Sequence, residues 1–277
     1  MEPWRSRREL LSFVKSALAS YGIKPKRRLG QSFTIDPKLI RDLVAYADVK
    51  SSDEVLEVGG GLGCLTKALA LKARKVVTVE VDRGLARALR DLTSSLGNVE
   101  VVEADFLELD GWRVNKVVST APYSIASPLV LKLVTDFSFE KAVLTFQREF
   151  AERLIARPGT TDYGRLTVVV SLFADVKLLR HVSRRSFYPA PDVDSAVVEV
   201  TLRKAPFEVD EGFLKLVEEL FTQRNRLVLS VLKRLRPNFE PSCLSDLSNK
   251  RVRDLTLEDL RKIYLSLGGG RGVRAGS

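Results

Sequence analysis

The 277-residue sequence predicts an α/β protein: a doubly wound, mostly parallel sheet with an antiparallel terminal strand, followed by a small C-terminal all-helical domain. Three observations predict it. Short runs rich in β-branched residues alternate with helical apolar spacing between residues 55 and 146. The first of these runs leads into the glycine-rich turn Gly59-Gly60-Gly61-Leu62-Gly63, and strand-like runs stop after Pro206.

The elements follow in order. Residues 8–21 place Leu10, Leu11, Val14, Leu18 and Tyr21 at helical spacing. Asp36-Pro37 is a cap with proline in the favoured first turn, which predicts a second helix through about Tyr46. Val55–Val58, Val76–Val81, Val99–Glu103, Lys116–Thr120 and Ala142–Phe146 are largely apolar rather than strictly alternating, as strands covered on both faces require. Leu166–Phe173 and Ala196–Leu202 are long enough to pair as a terminal antiparallel addition. Glu211–Thr222, Arg226–Leu235 and Thr256–Leu267 have helical spacing, the last with Thr256 and Asp259 placed for a capping box. The expected domains are therefore residues 1–206 and 207–277, with Gly268–Ser277 a disordered tail.

The formal net charge is +10, and its distribution is uneven. Residues 1–30 carry eight basic and two acidic side chains, residues 31–223 carry 25 and 28, and residues 224–277 carry 12 and five. Two basic ends around a slightly acidic middle fit a polyanion such as RNA, although cationic tails alone give the same total. Lys24, Lys26, Arg27 and Arg28 form one basic loop. Cys64 and Cys243 are far apart and His181 is the single histidine, so neither a zinc site nor a Ser/His/Asp or Cys/His nucleophile can be assembled. The expectation is a cytoplasmic protein with no metal and no membrane association, since no apolar run approaches the ~20 residues of a membrane span.

The strand ends carry the chemistry. Glycines after Glu57 let the backbone turn sharply at the carboxyl edge of the sheet, with spacing Gly59-x-Gly61-x-Gly63. Cys64 stands where a dinucleotide-binding GxGxxG requires glycine. Glu80 ends the second strand, where a carboxylate accepts both hydroxyls of a ribose. Asp105 follows the third, where it accepts an adenine amine, with Phe106 beside it to pack on the ring. Each alone is equally a plain turn or a strand-end carboxylate. Together they point to an adenosine-containing cofactor, with NAD the weaker alternative. The fourth strand ends in Ser119-Thr120-Ala121-Pro122-Tyr123. Methyl transfer to an exocyclic adenine amine needs acceptors for the amine protons and an aromatic face for the base, and no strong general base. A Pro-Tyr turn after a strand is the plain alternative.

Gly59–Gly63, Glu80, Asp105 and the Pro122-Tyr123 strand end resemble a Rossmann-like class I S-adenosylmethionine-dependent methyltransferase. Longer segments resemble one family within that class, the ribosomal RNA adenine N6-dimethyltransferases. These are Leu29–Asp36, Gln147-Arg148-Glu149 leading to Ala151-Glu152-Arg153-Leu154, Asp162–Leu166, Phe187–Ala196, and Phe221-Thr222-Gln223-Arg224-Asn225-Arg226. The likeness runs from about Lys26 to Tyr264.

The resemblance implies S-adenosyl-L-methionine as cofactor and S-adenosyl-L-homocysteine as product. It implies methylation of two adjacent adenines in the 3′-terminal hairpin loop of small-subunit rRNA, on a pre-30S-type particle, by a monomer. Gln31, Ser32, Thr34, Glu57, Gly59, Gly61, Gly63, Glu80, Asp105, Phe106 and Thr120 fall at cofactor positions. Thr120 and Pro122 fall at the target amine, Tyr123 at the base-stacking aromatic, and Phe187 at a second aromatic closing over a flipped base or, alternatively, in the core. The basic loop with Arg148, Arg224 and Arg226 is expected on RNA, and the helical domain is expected to be rRNA-binding. Arg148 and Arg153 fit helix-surface ion pairs equally well.

Four positions depart from the family's usual residues: Thr120-Ala121 stands where asparagine-leucine is usual, Ser32 where asparagine is, and Thr34 where leucine is. Thr120, Ser32 and Thr34 shorten or alter one pocket. The expectation is transfer that persists but is weakened. The alternatives are a weakly active or silent small-subunit assembly factor, and an enzyme acting on large-subunit rRNA.

Overall fold

The structure is a computed structural model and describes residues 4–26, 29–237 and 240–269. Arg27 and Arg28 of the basic loop, and residues 270–277 of the expected tail, lie outside the described residues. The chain divides into two compact units, residues 1–151 with 175–202, and residues 152–174 with 203–277.

The first unit begins with α1 (Arg7–Ser20), capped by the Ser6 hydroxyl, which accepts the Glu9 N–H, and burying Leu10, Val14 and Leu18. β1 (Phe33–Thr34) leads to α2 (Pro37–Tyr46), where the Asp36 carboxylate accepts the N–H groups of Lys38 and Leu39 and proline occupies the first turn. Then follow β2 (Glu54–Val58), α3 (Cys64–Ala70), β3 (Lys75–Glu80), α4 (Arg83–Thr93), β4 (Val99–Glu103), β5 (Lys116–Ser119), α5 (Ala126–Asp136), β6 (Lys141–Gln147) and α6 (Arg148–Leu154). After α7 (Arg165–Phe173) come β7 (Ala174–Val182), β8 (Phe187–Tyr188) and β9 (Ser195–Leu202).

Seven strands form one sheet in the order β4-β3-β2-β5-β6-β9-β7. Neighbours from β4 through β6 pair in parallel, and β9 runs antiparallel to β6. The chain winds outward in both directions from the β2–β5 pair, so the carboxyl ends of those two strands form the crevice where such sheets bind ligands. Central β5 is buried at every residue, as its apolar run predicts, whereas edge strand β4 is half exposed. β1 pairs antiparallel with β8 as a separate ribbon, Phe33 opposite Tyr188 and Thr34 opposite Phe187.

In the second unit α7 is joined by α8 (Glu211–Phe221), α9 (Val228–Leu235) and α10 (Leu257–Ser266). The capping box on α10 forms as expected, with the Thr256 hydroxyl accepting the Asp259 N–H.

Leu166–Phe173, expected as a strand, is helical. A short, fully buried apolar run reads the same for strand and helix, and tertiary packing decides between them. Here Val168 and Leu172, one turn apart, join Tyr163 in a core with Phe213, Leu216, Val217 and Leu220. The Tyr163 hydroxyl donates to the Leu255 carbonyl at 2.8 Å. Residues 152–174 therefore pack with the C-terminal helices, and the second unit is discontinuous where the sequence suggested one boundary at 206. The added strand is β7, whose mixed polar sequence hid it.

Candidate active site

A cleft of about 160 Å³ opens over the carboxyl ends of β2, β3, β4 and β5. Its floor is the turn after β2. Gly59 has φ +82°, and a Cβ there would lie 2.9 Å from Pro122 Cγ, so the glycine turn and the Pro122 turn are packed backbone against ring. Ser119, at the end of β5, donates its hydroxyl to the Val58 carbonyl at 2.6 Å, which ties the two strand ends together.

Three carboxylates line the cleft. Glu80 is buried, and its two oxygens accept N–H groups from Asp82 (2.9 Å) and Gly61 (3.0 Å). Burial pushes its carboxyl up, with those two bonds pulling the other way. Asp105 turns one oxygen inward to the Leu107 N–H at 2.9 Å. Glu57 is 1% exposed beneath the glycine turn and accepts the Thr66 hydroxyl at 2.6 Å. Burial raises its carboxyl to about 7. Phe106 also lines the cleft, but it is 2% exposed and its ring stacks on Phe137 with centroids 5.2 Å apart.

The near wall is the segment Leu29–Thr34. Gln31 accepts the Lys26 backbone N–H at 2.8 Å and reaches Asp82 at 3.4 Å. Ser32 donates its hydroxyl to the Pro189 carbonyl, and Thr34 is buried in β1. Gly30, at φ +63°, presses against the next turn, where an added Cβ would meet the Tyr123 backbone nitrogen at 3.2 Å.

That next turn carries the expected catalytic residues. Thr120 and Pro122 line the cleft, and the Thr120 hydroxyl makes no hydrogen bond to another described residue. Tyr123 begins a 3-10 turn beside the cleft, half-buried, with its hydroxyl 2.6 Å from Ser195 Oγ. Tyr123, Gly63 and Phe187 do not line it, although the neighbours of Tyr123, Pro122 and Ser124, do. Gly63 caps α3 with φ +77°, and Phe187 is 3% exposed in the hydrophobic core, so its ring is packed into the protein rather than presented at the cleft.

Of the expected RNA contacts, Lys24 is exposed, Arg148 is exposed at the start of α6, and Arg226 is exposed in the second unit. Arg224, also in the second unit, donates to the Thr161 carbonyl. Lys26 is ion-paired with Asp82 at 2.5 Å. Sequence reasoning gave no role to Asp82 or Ser195. An aspartate two residues beyond the strand-end glutamate, just before a helix, was the available signal for the first. Among the described residues no group of three His, Cys, Asp or Glu could hold a metal, and no helix is long and apolar enough to cross a membrane.

The chain matches the ribosomal RNA adenine dimethylase family over residues 22–267. It is 44% identical over 228 residues to the probable ribosomal RNA small subunit methyltransferase A of Methanopyrus kandleri, covering 81% of each chain. With the protein of the same name from Pyrococcus abyssi it shares 39% over 255 residues, covering 89% of this chain and 93% of the other. Among solved structures, a dimethyladenosine transferase from Plasmodium falciparum superposes with a TM-score of 0.75 at 30% identity, over 85% of this chain and 97% of that one. The 23S rRNA methyltransferase ErmE superposes with a TM-score of 0.65 at 30% identity, over 85% and 99%. A cleft at the reversal of a mostly parallel sheet, with acceptors at successive strand ends, is what this likeness requires, and the chain belongs to the ribosomal RNA adenine dimethylase family.

Proposed function

We propose that the protein transfers methyl groups from S-adenosyl-L-methionine to the N6 amines of two adjacent adenines in the 3′-terminal hairpin loop of small-subunit rRNA. The reading extends to a monomer acting in the cytoplasm on a pre-30S-type particle. The observation that carries it is the order of groups around one cleft: Glu80 ends β3, Asp105 and Thr120 follow β4 and β5, and Pro122 lies two residues beyond Thr120, with Tyr123 next in the same turn. The small-subunit names of the curated relatives favour this substrate over large-subunit rRNA.

The donor set fits an adenosine-containing methyl donor. Glu80 keeps a lone pair on each oxygen beyond the backbone bond each accepts, which suits two vicinal hydroxyls. Asp105 has a second oxygen beyond the one held by Leu107, which suits an exocyclic amine. When bound, such a donor supplies an electrophilic methyl on a sulfonium. The chain's own part is to hold the adenine against the Tyr123 ring and to accept hydrogen bonds from the N6 amine at Thr120 Oγ1 and the Ala121 carbonyl, the proton of the methylated, cationic amine leaving to solvent. Those bonds draw electron density away from ring conjugation and expose the nitrogen lone pair. Nothing in the cleft needs to act as a strong base.

The test is incubation of purified protein with labelled donor and undermethylated small subunits. Label enters wild-type reactions and stays at background with Tyr123→Ala. Wild-type incorporation no higher than in that variant, with subunit binding intact, would instead support a silent assembly factor.

A further inference from the structure

Lys26 sits in the basic loop expected to grip RNA, yet its Nζ lies 2.5 Å from Asp82 Oδ2, a carboxylate whose side chain is only 6% exposed. Asp82 is engaged on every side. Its Oδ1 accepts the Leu85 N–H at 3.1 Å and starts α4, and its own N–H donates to Glu80. A helix cap needs one oxygen, and the other is given to Lys26 and to Gln31 Nε2 at 3.4 Å. Burial alone would raise the Asp82 carboxyl, but the bonds from Lys26, Leu85 and Gln31 outweigh it and hold it below its ordinary value.

The same loop is tied at its other end to the Pro122–Tyr123 turn. Ser124 donates its hydroxyl to the Leu29 carbonyl at 3.2 Å, and Gly30 packs on the Tyr123 backbone. Leu29, Gly30 and Gln31 themselves line the cleft. Lys26 and Gln31 act together, because the Lys26 N–H bonds to Gln31 Oε1 at 2.8 Å. The segment thus joins the Glu80 side of the cleft to its Thr120–Tyr123 side.

We infer that Lys26 and Asp82 form a latch that holds Leu29–Gln31 against the cleft, so that this part of the basic loop retains the methyl donor rather than contacting RNA. Both are positioning residues, acting through Gln31 and Glu80. The inference rests on the methyltransferase reading above. The Lys26 side chain is 48% exposed, but its charge is met by a nearly buried aspartate and so offers less to phosphate than that of an unpaired lysine, whereas loosening it frees a wall of the donor site.

Calorimetry of the full chain with S-adenosyl-L-homocysteine and with S-adenosyl-L-methionine separates the two roles, alongside binding of a small-subunit hairpin RNA. Lys26→Met and Asp82→Asn, the latter keeping a competent cap, are expected to weaken both small ligands by about fivefold. Lys26→Arg restores the affinity. The hairpin affinity of Lys26→Met falls no further than that of Lys72→Met, which removes one charge from an exposed position. Wild-type affinity for the small ligands in both Lys26→Met and Asp82→Asn, or a loss confined to RNA, overturns the latch and leaves the methyltransferase reading standing. Failure of the wild-type protein to bind either small ligand overturns both.

Discussion

The Tyr123 hydroxyl lies 2.6 Å from the Ser195 hydroxyl, so the aromatic expected to stack on the target base is held by the first residue of β9. Ser195 is fully buried, and burial pushes the Tyr123 hydroxyl up to about 12, with the Ser195 bond pulling the other way. Tyr123 therefore keeps its proton over the whole working range. Tyr123→Phe leaves the Ser195 hydroxyl without this partner and is expected to cost ~1–3 kcal/mol in denaturant unfolding. Ser195→Ala costs a similar amount, and the double variant costs less than the sum, which a double-mutant cycle measures. Additive losses would mean that the two hydroxyls do not support one another.

Glu57 gives the protein a pH dependence of definite sign. Its carboxyl is raised from 4.5 to about 7 by burial, against the bond from Thr66. Between these values the folded chain holds a proton that the unfolded chain has released, so the contribution of Glu57 to stability is greatest below about 4.5 and is lost as pH rises to about 7. The whole effect is of the order of 3 kcal/mol. Glu57→Gln removes this component of the slope and raises the urea midpoint at pH 8 relative to wild type. An identical pH profile in the variant would show that Glu57 does not titrate in this window.

A side chain at Gly59 would be strained on geometric grounds. Alanine there combines φ +82° with a contact of 2.9 Å to Pro122 Cγ. Gly59→Ala is expected to cost ~1–3 kcal/mol of stability and to displace the Pro122–Tyr123 turn, so methyl transfer falls more steeply than the melting temperature indicates. Equal turnover in the folded variant would show that this packing does not place the turn proposed to be catalytic.

Thr120, proposed to meet the target amine, has little at stake in the fold. Its hydroxyl bonds to no other described residue, so Thr120→Ala is expected to leave stability within ~0.5 kcal/mol of wild type. Turnover should drop by about a hundred- to a thousandfold, or ~2–4 kcal/mol of barrier, with donor affinity changed little. Thermal melts, calorimetry and single-turnover rates check the three parts.

The sheet and the cleft floor were legible in the sequence because both depend on local signals. Apolar strands, capping Asp36 and Thr256, and carboxylates at strand ends are set within a few residues of one another. What escaped depends on contacts between distant segments. Leu166–Phe173 is apolar enough to be either strand or helix, and only the company of Phe213 and Leu216 decides it. Phe187 is an aromatic in a family motif, but pairing of β8 with β1 carries its ring into the core. Lys26 was grouped with Lys24 by charge alone, and the buried acceptor that occupies it lies 56 residues away. Ser195 is 72 residues from Tyr123, a distance at which no spacing rule speaks.

The cleft beside Thr120 and Tyr123 is expected to methylate adenine N6. The most direct measurement is mass spectrometry of the 3′-terminal hairpin of small-subunit rRNA after reaction with the purified protein and S-adenosyl-L-methionine. Methylated adenine at the two adjacent loop positions, abolished by Tyr123→Ala and reduced by Thr120→Ala, is the expected result. Unmodified adenines at both positions in the wild-type reaction, under conditions where the protein binds the donor, would contradict it.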